Sequence, residues 1–224
     1  MKLLLTAQGF TTEEIVRSFE KLVGKDCQNI SLGVINEGYS VELGDKRWIP
    51  EELQSVSKTI GGKMDLINLL ALDKEKINER LSKLDAVYVM GGHTDYLMSV
   101  FNKSGFSNLL SDILKNKVYV GSSAGSMVMC KRIFTSAYRE IYYEEGTYDV
   151  TKYMEYTDFV IKPHFNADNF PKVRKDILLK TSKGFNHIIY GLRNDQAICI
   201  NENTTTFING PIFAVLNGSE INNK

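Results

Sequence analysis

Cysteine, histidine, proline and tryptophan are all scarce in this 224-residue sequence, which holds three Cys, three His, four Pro and one Trp. Cys27, Cys130 and Cys199 are widely spaced and form no C-x-x-C pair. That spacing encodes neither a disulfide framework nor a cysteine-based zinc cluster, and a reducing cytoplasm is the expected compartment. Long apolar runs are missing too. None approaches the roughly 18 residues of a spanning helix, and the stretch in Met1-Lys2-Leu3-Leu4-Leu5-Thr6 is too short for a secretory leader, so no membrane partner is expected. Charge of either sign is not in excess: Lys+Arg and Asp+Glu both number 27. The chain therefore lacks the global field of a protein that binds nucleic acid or anionic lipid.

Phosphate-binding signatures are also absent. Gly61-Gly62-Lys63 has neither the spacing nor the following Ser/Thr of a Walker loop, and no G-x-G-x-x-G follows a strand. His164 and Asp168 share a helical spacing, but no further His or Cys lies near them in sequence, so neither a metal nor an organic cofactor is expected.

What is present is an ordinary globular composition, 43% hydrophobic and 24% charged, with a length that suits one domain over residues 1–224. Through the first two thirds, strand-like apolar runs alternate with helical stripes, the pattern of an α/β protein with a mostly parallel central sheet. Strands are expected over residues 3–7, 30–35, 86–90, 118–120 and 159–161. Helices are expected after the Thr11-Thr12-Glu13-Glu14 capping box, from Pro50, after the Asp73 cap, over two stretches between 97 and 114, and over 168–180. Residues 65–70 fit either state, and the tyrosine-rich stretch from about 135 shows no clear period. Runs at 188–192, 197–200 and 205–208, with Asn-Gly turns at 209 and 217, predict antiparallel edge strands within one mixed sheet.

The sharpest motif is Gly121-Ser122-Ser123-Ala124-Gly125, a G-x-S-x-G between the strand Val118-Tyr119-Val120 and the helix-compatible Ser126-Met127-Val128. Small residues on both sides of Ser123 permit the sharp strand-to-helix turn that projects a nucleophilic hydroxyl at the carboxyl end of a sheet. Such a hydroxyl needs a base, and the chain offers three imidazoles. His187 precedes its strand, whereas His164 and His93 both follow one, where α/β sheets keep their functional groups. The Gly91-Gly92 pair before His93 can bring bare backbone N–H groups to a substrate oxygen, together with the Ala124 N–H, as an oxyanion hole. Glu140 and Asp195, on either side of His164 in sequence, are candidates for the acid that orients the imidazole.

Taken together, Gly91-Gly92-His93-Thr94, the Gly121–Gly125 elbow and Pro163-His164-Phe165 resemble the peptidase E (aspartyl dipeptidase) and cyanophycinase group of serine peptidases, in order and spacing across most of the chain. The resemblance implies a three-layer α/β/α sandwich related to class I glutamine amidotransferases, with serine in place of cysteine at the elbow. It also implies Ser123 as nucleophile, His164 as base, Gly91 and Ala124 as oxyanion donors, and Glu140 or Asp195 as the third member. A direct alignment from Gly191-Leu192 puts Asn194 where peptidase E has its glutamate, with Asp195 one place later. The elbow reads Ser-Ala-Gly-Ser rather than Ser-Ala-Gly-Ala.

The implied activity is hydrolysis of a dipeptide or short peptide, with a preference for N-terminal Asp, by a monomer or homodimer. An Asp side chain calls for a guanidinium, and Arg139, Arg174 and Arg193 are the candidates. The same elbow also serves esterases and acyl-transfer enzymes, and the same fold serves non-catalytic small-molecule-binding modules.

Overall fold

Strands that are apolar at every position need cover on both faces, and the first strands of this chain have that character. The structure, a computed structural model, describes residues 1–133, 141, 142, 144 and 146–222. The strands are β1 (Lys2–Thr6), β2 (Leu32–Ile35), β3 (Met64–Leu66), β4 (Ala86–Val89), β5 (Val118–Ser122), β6 (Val160–Lys162), β7 (Ile189–Gly191), β8 (Ala197–Asn201), β9 (Thr204–Ile208), β10 (Phe213–Leu216) and β11 (Ser219–Glu220). The helices are α1 (Glu13–Val23), α2 (Trp48–Thr59), α3 (Lys74–Ser82), α4 (Thr94–Lys103), α5 (Phe106–Asn116), α6 (Ala124–Met127) and α7 (Lys175–Thr181).

The larger sheet has the order β3-β2-β4-β5-β1-β8-β9. Its first five members are parallel; β8 and β9 close one edge antiparallel. Side chains alternate across each strand and so feed two separate cores. Leu3, Leu5, Val87, Val89 and Tyr119 pack toward Ile77 and Leu81 of α3, Leu97 and Phe101 of α4, and Leu110 of α5. Leu4, Val34, Tyr88 and Val120 pack toward Ile15 and Phe19 of α1 and Val56 of α2. The result is an α/β/α sandwich. Local chemistry fixes the helix ends: Thr12 Oγ1 accepts the Ile15 N–H, Gly24 closes α1 in the left-handed region at φ 82°, and Asp73 Oδ1 accepts the Lys76 N–H at 2.7 Å.

The expectation of one mixed sheet does not hold. The chain builds a second sheet of order β11-β10-β7-β6, whose core joins Val160, Ile189 and Val215 to Leu178 of α7. The run at 188–192 is therefore no antiparallel edge of the main sheet: β7 runs parallel to β6 and antiparallel to β10. The helix expected over 168–180 is confined to α7, because Arg174 donates to the carbonyls of Ala167, Phe170 and Val173 and holds the preceding residues as a turn. Residues 65–70 are strand only as far as Leu66; Asn68 Oδ1 then accepts the N–H groups of Leu70 and Ala71, a side-chain-mediated turn that competes with both regular states.

Helix α6 lies so close to the sheet that a Cβ on Gly125 would overlap the Val89 carbonyl oxygen, on the backbone of β4. Backbone cannot retreat as a side-chain tip can. Gly125→Ala is therefore expected to cost about 3 kcal/mol, the upper end of ordinary overpacking. In thermal unfolding that is a fall of roughly 6–12 °C for a domain of this size. An unchanged midpoint would mean that the contact is not as close as described.

Candidate active site

The site is built where the two sheets meet. At the end of β5, Ser123 is the single residue between strand and helix, with φ 50° and ψ −114°, a conformation rare for a residue with a side chain. Hydrogen bonds hold the turn from below. The Thr6 carbonyl, at the end of β1, accepts from Ser123 N at 3.2 Å and from Ser126 Oγ at 2.8 Å. The Gly121 carbonyl accepts from Thr6 Oγ1 and is the second acceptor, also at 2.8 Å, for the Ser126 hydroxyl. Ser126, the residue that distinguishes this elbow from Ser-Ala-Gly-Ala, thus stitches the turn to β1.

From the second sheet come the partners. Parallel pairing of β6 with β7 sets Lys162 opposite Gly191, so the two loops leave the same edge side by side. Phe165 N donates to the Leu192 carbonyl at 2.8 Å and keeps them together. His164 stands on the first loop at φ 62°, and Asn194 on the second. The His164 Nε2 is 3.0 Å from Ser123 Oγ, and its Nδ1 is 2.8 Å from Asn194 Oδ1. An amide oxygen only accepts, so Nδ1 carries the proton and Nε2 presents a lone pair to the serine hydroxyl. Phe170 stacks on the imidazole at 4.1 Å and 9°. Its ring meets Tyr142 edge-on, and the Tyr142 hydroxyl donates to the Pro163 carbonyl.

Burial decides the imidazole's charge. His164 is 7% exposed, and desolvation brings its pKa down to about 4, against a smaller upward pull from the hydrogen bond to Asn194. The folded ring stays neutral where an unfolded one, with a pKa near 6.5, would take a proton. This contribution to stability is complete above about pH 6.5 and declines, by roughly 3 kcal/mol in all, as the pH falls toward 4.

Gly91 lies against Ser123: a Cβ there would stand 3.1 Å from the serine Cβ and 3.6 Å from its Oγ. Gly92, at φ 124°, packs against Gly38 backbone, where a Cβ would overlap it. Ala124 opens α6, a position whose N–H has no partner within its own helix. The structure thus brings Ser123, His164, Gly91, Gly92 and Ala124 together.

Other expected residues fall elsewhere. Asp195 is not at the imidazole. Its carboxylate pairs with Arg193 at 3.2 Å and both side chains are about half exposed, while Asn194, one residue earlier, reaches Nδ1. Arg193 is also held by the Asn209 carbonyl, and Arg174 by the three carbonyls of the 167–173 turn. Glu140 and Arg139 lie outside the described residues. His93 caps α4, its Nδ1 accepting the Tyr96 N–H at 3.2 Å, and stands edge-on to Tyr148. His187 contacts the Asp158 carbonyl, away from the elbow.

A cavity of about 310 Å³ opens beside Ser123 and His164, with Phe10, Trp48, Tyr88, Met127 and Phe170 among its walls. Its lining also includes four carboxylates that sequence reasoning passed over, Glu42, Glu51, Glu52 and Glu144, and no described lysine or arginine. Burial raises the pKa of Glu42, aided by the nearby charge of Glu144. Glu144 Oε1 accepts from both the N–H and the hydroxyl of Thr94, each at 2.6 Å. Among the described residues no group of three or more His, Cys, Asp or Glu is placed to hold a metal, and no helix is long and apolar enough to cross a membrane.

With this geometry in place, comparison with known proteins is informative. The family model described as "Peptidase family S51" matches residues 5–208. An uncharacterized peptidase of Pasteurella multocida is 26% identical over 211 residues, covering 94% of this chain and 98% of its own. A peptidase E of a Nostoc species is 37% identical over 91 residues, 38% of this chain and 34% of the relative. In fold, the chain resembles the crystal structure of a putative peptidase E from Listeria monocytogenes, with a TM-score of 0.74, 23% identity, and coverage of 92% and 96% of the two chains.

The imidazole's environment can be checked without turnover. By NMR, His164 should titrate near pH 4. Asn194→Asp should move that midpoint up by roughly 1–3 units, because a carboxylate at Nδ1 favours the charged ring. A wild-type midpoint near 6.5 would show that the ring is solvated.

Proposed function

Because the chain belongs to peptidase family S51 and is a serine peptidase, we propose that it hydrolyses short peptides at the Ser123 site, with Ser123 as nucleophile and His164 as general base. The observation that carries this reading is the 3.0 Å contact between Ser123 Oγ and a neutral, proton-accepting Nε2. As Oγ attacks the scissile carbonyl, Nε2 takes its proton. The oxyanion develops against the backbone N–H groups of Gly91 and Ala124, and the imidazolium returns the proton to the leaving amine. Water, activated by the same ring, then releases the acyl group. The reading takes residues 1–224 as one catalytic unit, monomer or homodimer, in a reducing cytoplasm.

Asn194 is a positioning residue in this scheme. It fixes the tautomer and aims the ring, as the amide does in Cys-His-Asn peptidases, but it adds no negative charge to stabilise the imidazolium. The base therefore stays neutral, and competent, in mildly acidic solution. Arg174 and Arg193, held by backbone carbonyls and by Asp195, do not line the cavity, so the proposal rests on the short peptide and not on a preference for N-terminal Asp.

A fluorophosphonate probe should label the wild-type protein and not Ser123→Ala. Turnover should fall by roughly 10⁴-fold or more in both Ser123→Ala and His164→Ala. In wild type, kcat/KM should hold from pH 7 to about 5 and reach half its plateau near pH 4. Equal labelling of Ser123→Ala would refute the nucleophile, and full activity in His164→Ala would refute the base.

A further inference from the structure

The acidic wall of the cavity contains one group that the scheme above does not use. Glu52, on α2, reaches the carboxyl ends of β4 and β5, where its Oε1 accepts the Tyr88 hydroxyl at 2.7 Å. Ser122, the residue before the nucleophile, lies near the same pair and favours the charged carboxylate. The place is built for this contact. Tyr88 is fully buried, and a Cβ on Gly9 would overlap its hydroxyl, so the chain bares its backbone there to admit the pair.

A carboxylate offers about four lone-pair sites, and the Tyr88 hydroxyl takes one of them, which leaves capacity for whatever enters the cavity. Tyr88 and the nearby Ser122 are neutral, and no described lysine or arginine lines the cavity. Burial accordingly pushes the Glu52 pKa up. A carboxyl held in that condition gains most from a cation, which restores the charged form and recovers part of its desolvation cost.

We propose that Glu52, held by Tyr88, is the specificity determinant of the cavity and pairs with the ammonium or guanidinium of a basic side chain on the residue whose carbonyl Ser123 attacks. The inference rests on the peptidase reading and assigns that site its substrate class. Phe10 and Trp48 supply apolar surface for the side chain's methylene stem, and the Trp48 ring is also a face on which a cation can rest. Glu42, Glu51 and Glu144 reinforce the sign of the field.

The test measures binding to Ser123→Ala, which needs no turnover, using lysinamide, norleucinamide, glutamamide carrying a free side-chain carboxylate, and the N-acetyl form of each. Lysinamide should bind about tenfold or more tighter than its uncharged isostere norleucinamide, with the acidic ligand weakest. Acetylation should leave the lysine-to-norleucine ratio in place. Glu52→Gln should shrink that ratio toward one, with circular dichroism and thermal melting confirming the fold. Equal binding of lysinamide and norleucinamide overturns the proposal. So does preference for the acidic ligand, or a discrimination lost only on acetylation, which would assign the carboxylate to the α-ammonium. Labelling of wild-type Ser123 by the fluorophosphonate reports separately on the reading beneath, so a protein that labels yet ignores side-chain charge refutes this inference alone.

Discussion

The hydrogen bond between Ser123 Oγ and His164 Nε2 bridges two sheets that also share a core, in which Ile161, Tyr190 and Ala214 of the smaller sheet lie with Leu5 and Val89 of the larger. Its donor stands at the end of β5 in the seven-stranded sheet, and its acceptor beyond β6 in the four-stranded one. A contact of this kind is only as well defined as its supports, and both are over-determined. The elbow is tied to β1 through Thr6 and Ser126, and the His164 loop is held by Leu192, by the stacked Phe170 and by the Arg174 clamp on the turn that carries Phe170. Positive φ at both Ser123 and His164 is local strain that such supports make sustainable.

Burial and polarity pull against each other at this contact. Enclosing an imidazole lowers its affinity for a proton, and a carboxylate at Nδ1 would oppose that shift. Here the partner is an amide, so the effect of burial goes largely unopposed and the ring is held neutral. A neutral imidazole can accept a proton at Nε2, and with an amide at Nδ1 the imidazolium so formed is less stabilised than it would be beside a carboxylate. Arg174, which looked available for an acidic substrate, instead holds the backbone that positions Phe170 over the ring.

The parts that were legible in the sequence are those written in contiguous residues. The elbow, the caps at Thr12 and Asp73, the four parallel strands β1, β2, β4 and β5 and the placement of His164 after a strand each depend on local pattern and survive in the structure. The division into two sheets does not, because the short run at 188–192 has no local mark saying whether it pairs with β6 or with the main sheet. Asn194 was displaced by its neighbour for a related reason. Residue type pointed to the carboxylate of Asp195, but the register that sets Lys162 opposite Gly191 brings the preceding residue to Nδ1. That register is a tertiary fact. An alignment from Gly191-Leu192 already placed Asn194 at the position, and the geometry gives that alignment its physical basis.

Neutral net charge likewise concealed the character of the cavity. Equal numbers of acidic and basic residues cancel only at distances beyond the Debye length, about 8 Å at physiological ionic strength. Within the cavity, what counts is which side chains line it and how little water screens them. Several lysines and arginines are instead engaged in exposed pairs such as Arg17–Glu13, Lys76–Glu79 and Lys115–Asp112, where solvent weakens them. Glu52 and Glu144 remain half or fully buried, held by hydroxyls and backbone N–H groups rather than by cations in the cavity wall. The described lining beside Ser123 therefore carries carboxylates and no lysine or arginine in a chain with no overall charge, and that lining, not the composition, bears on what the site admits.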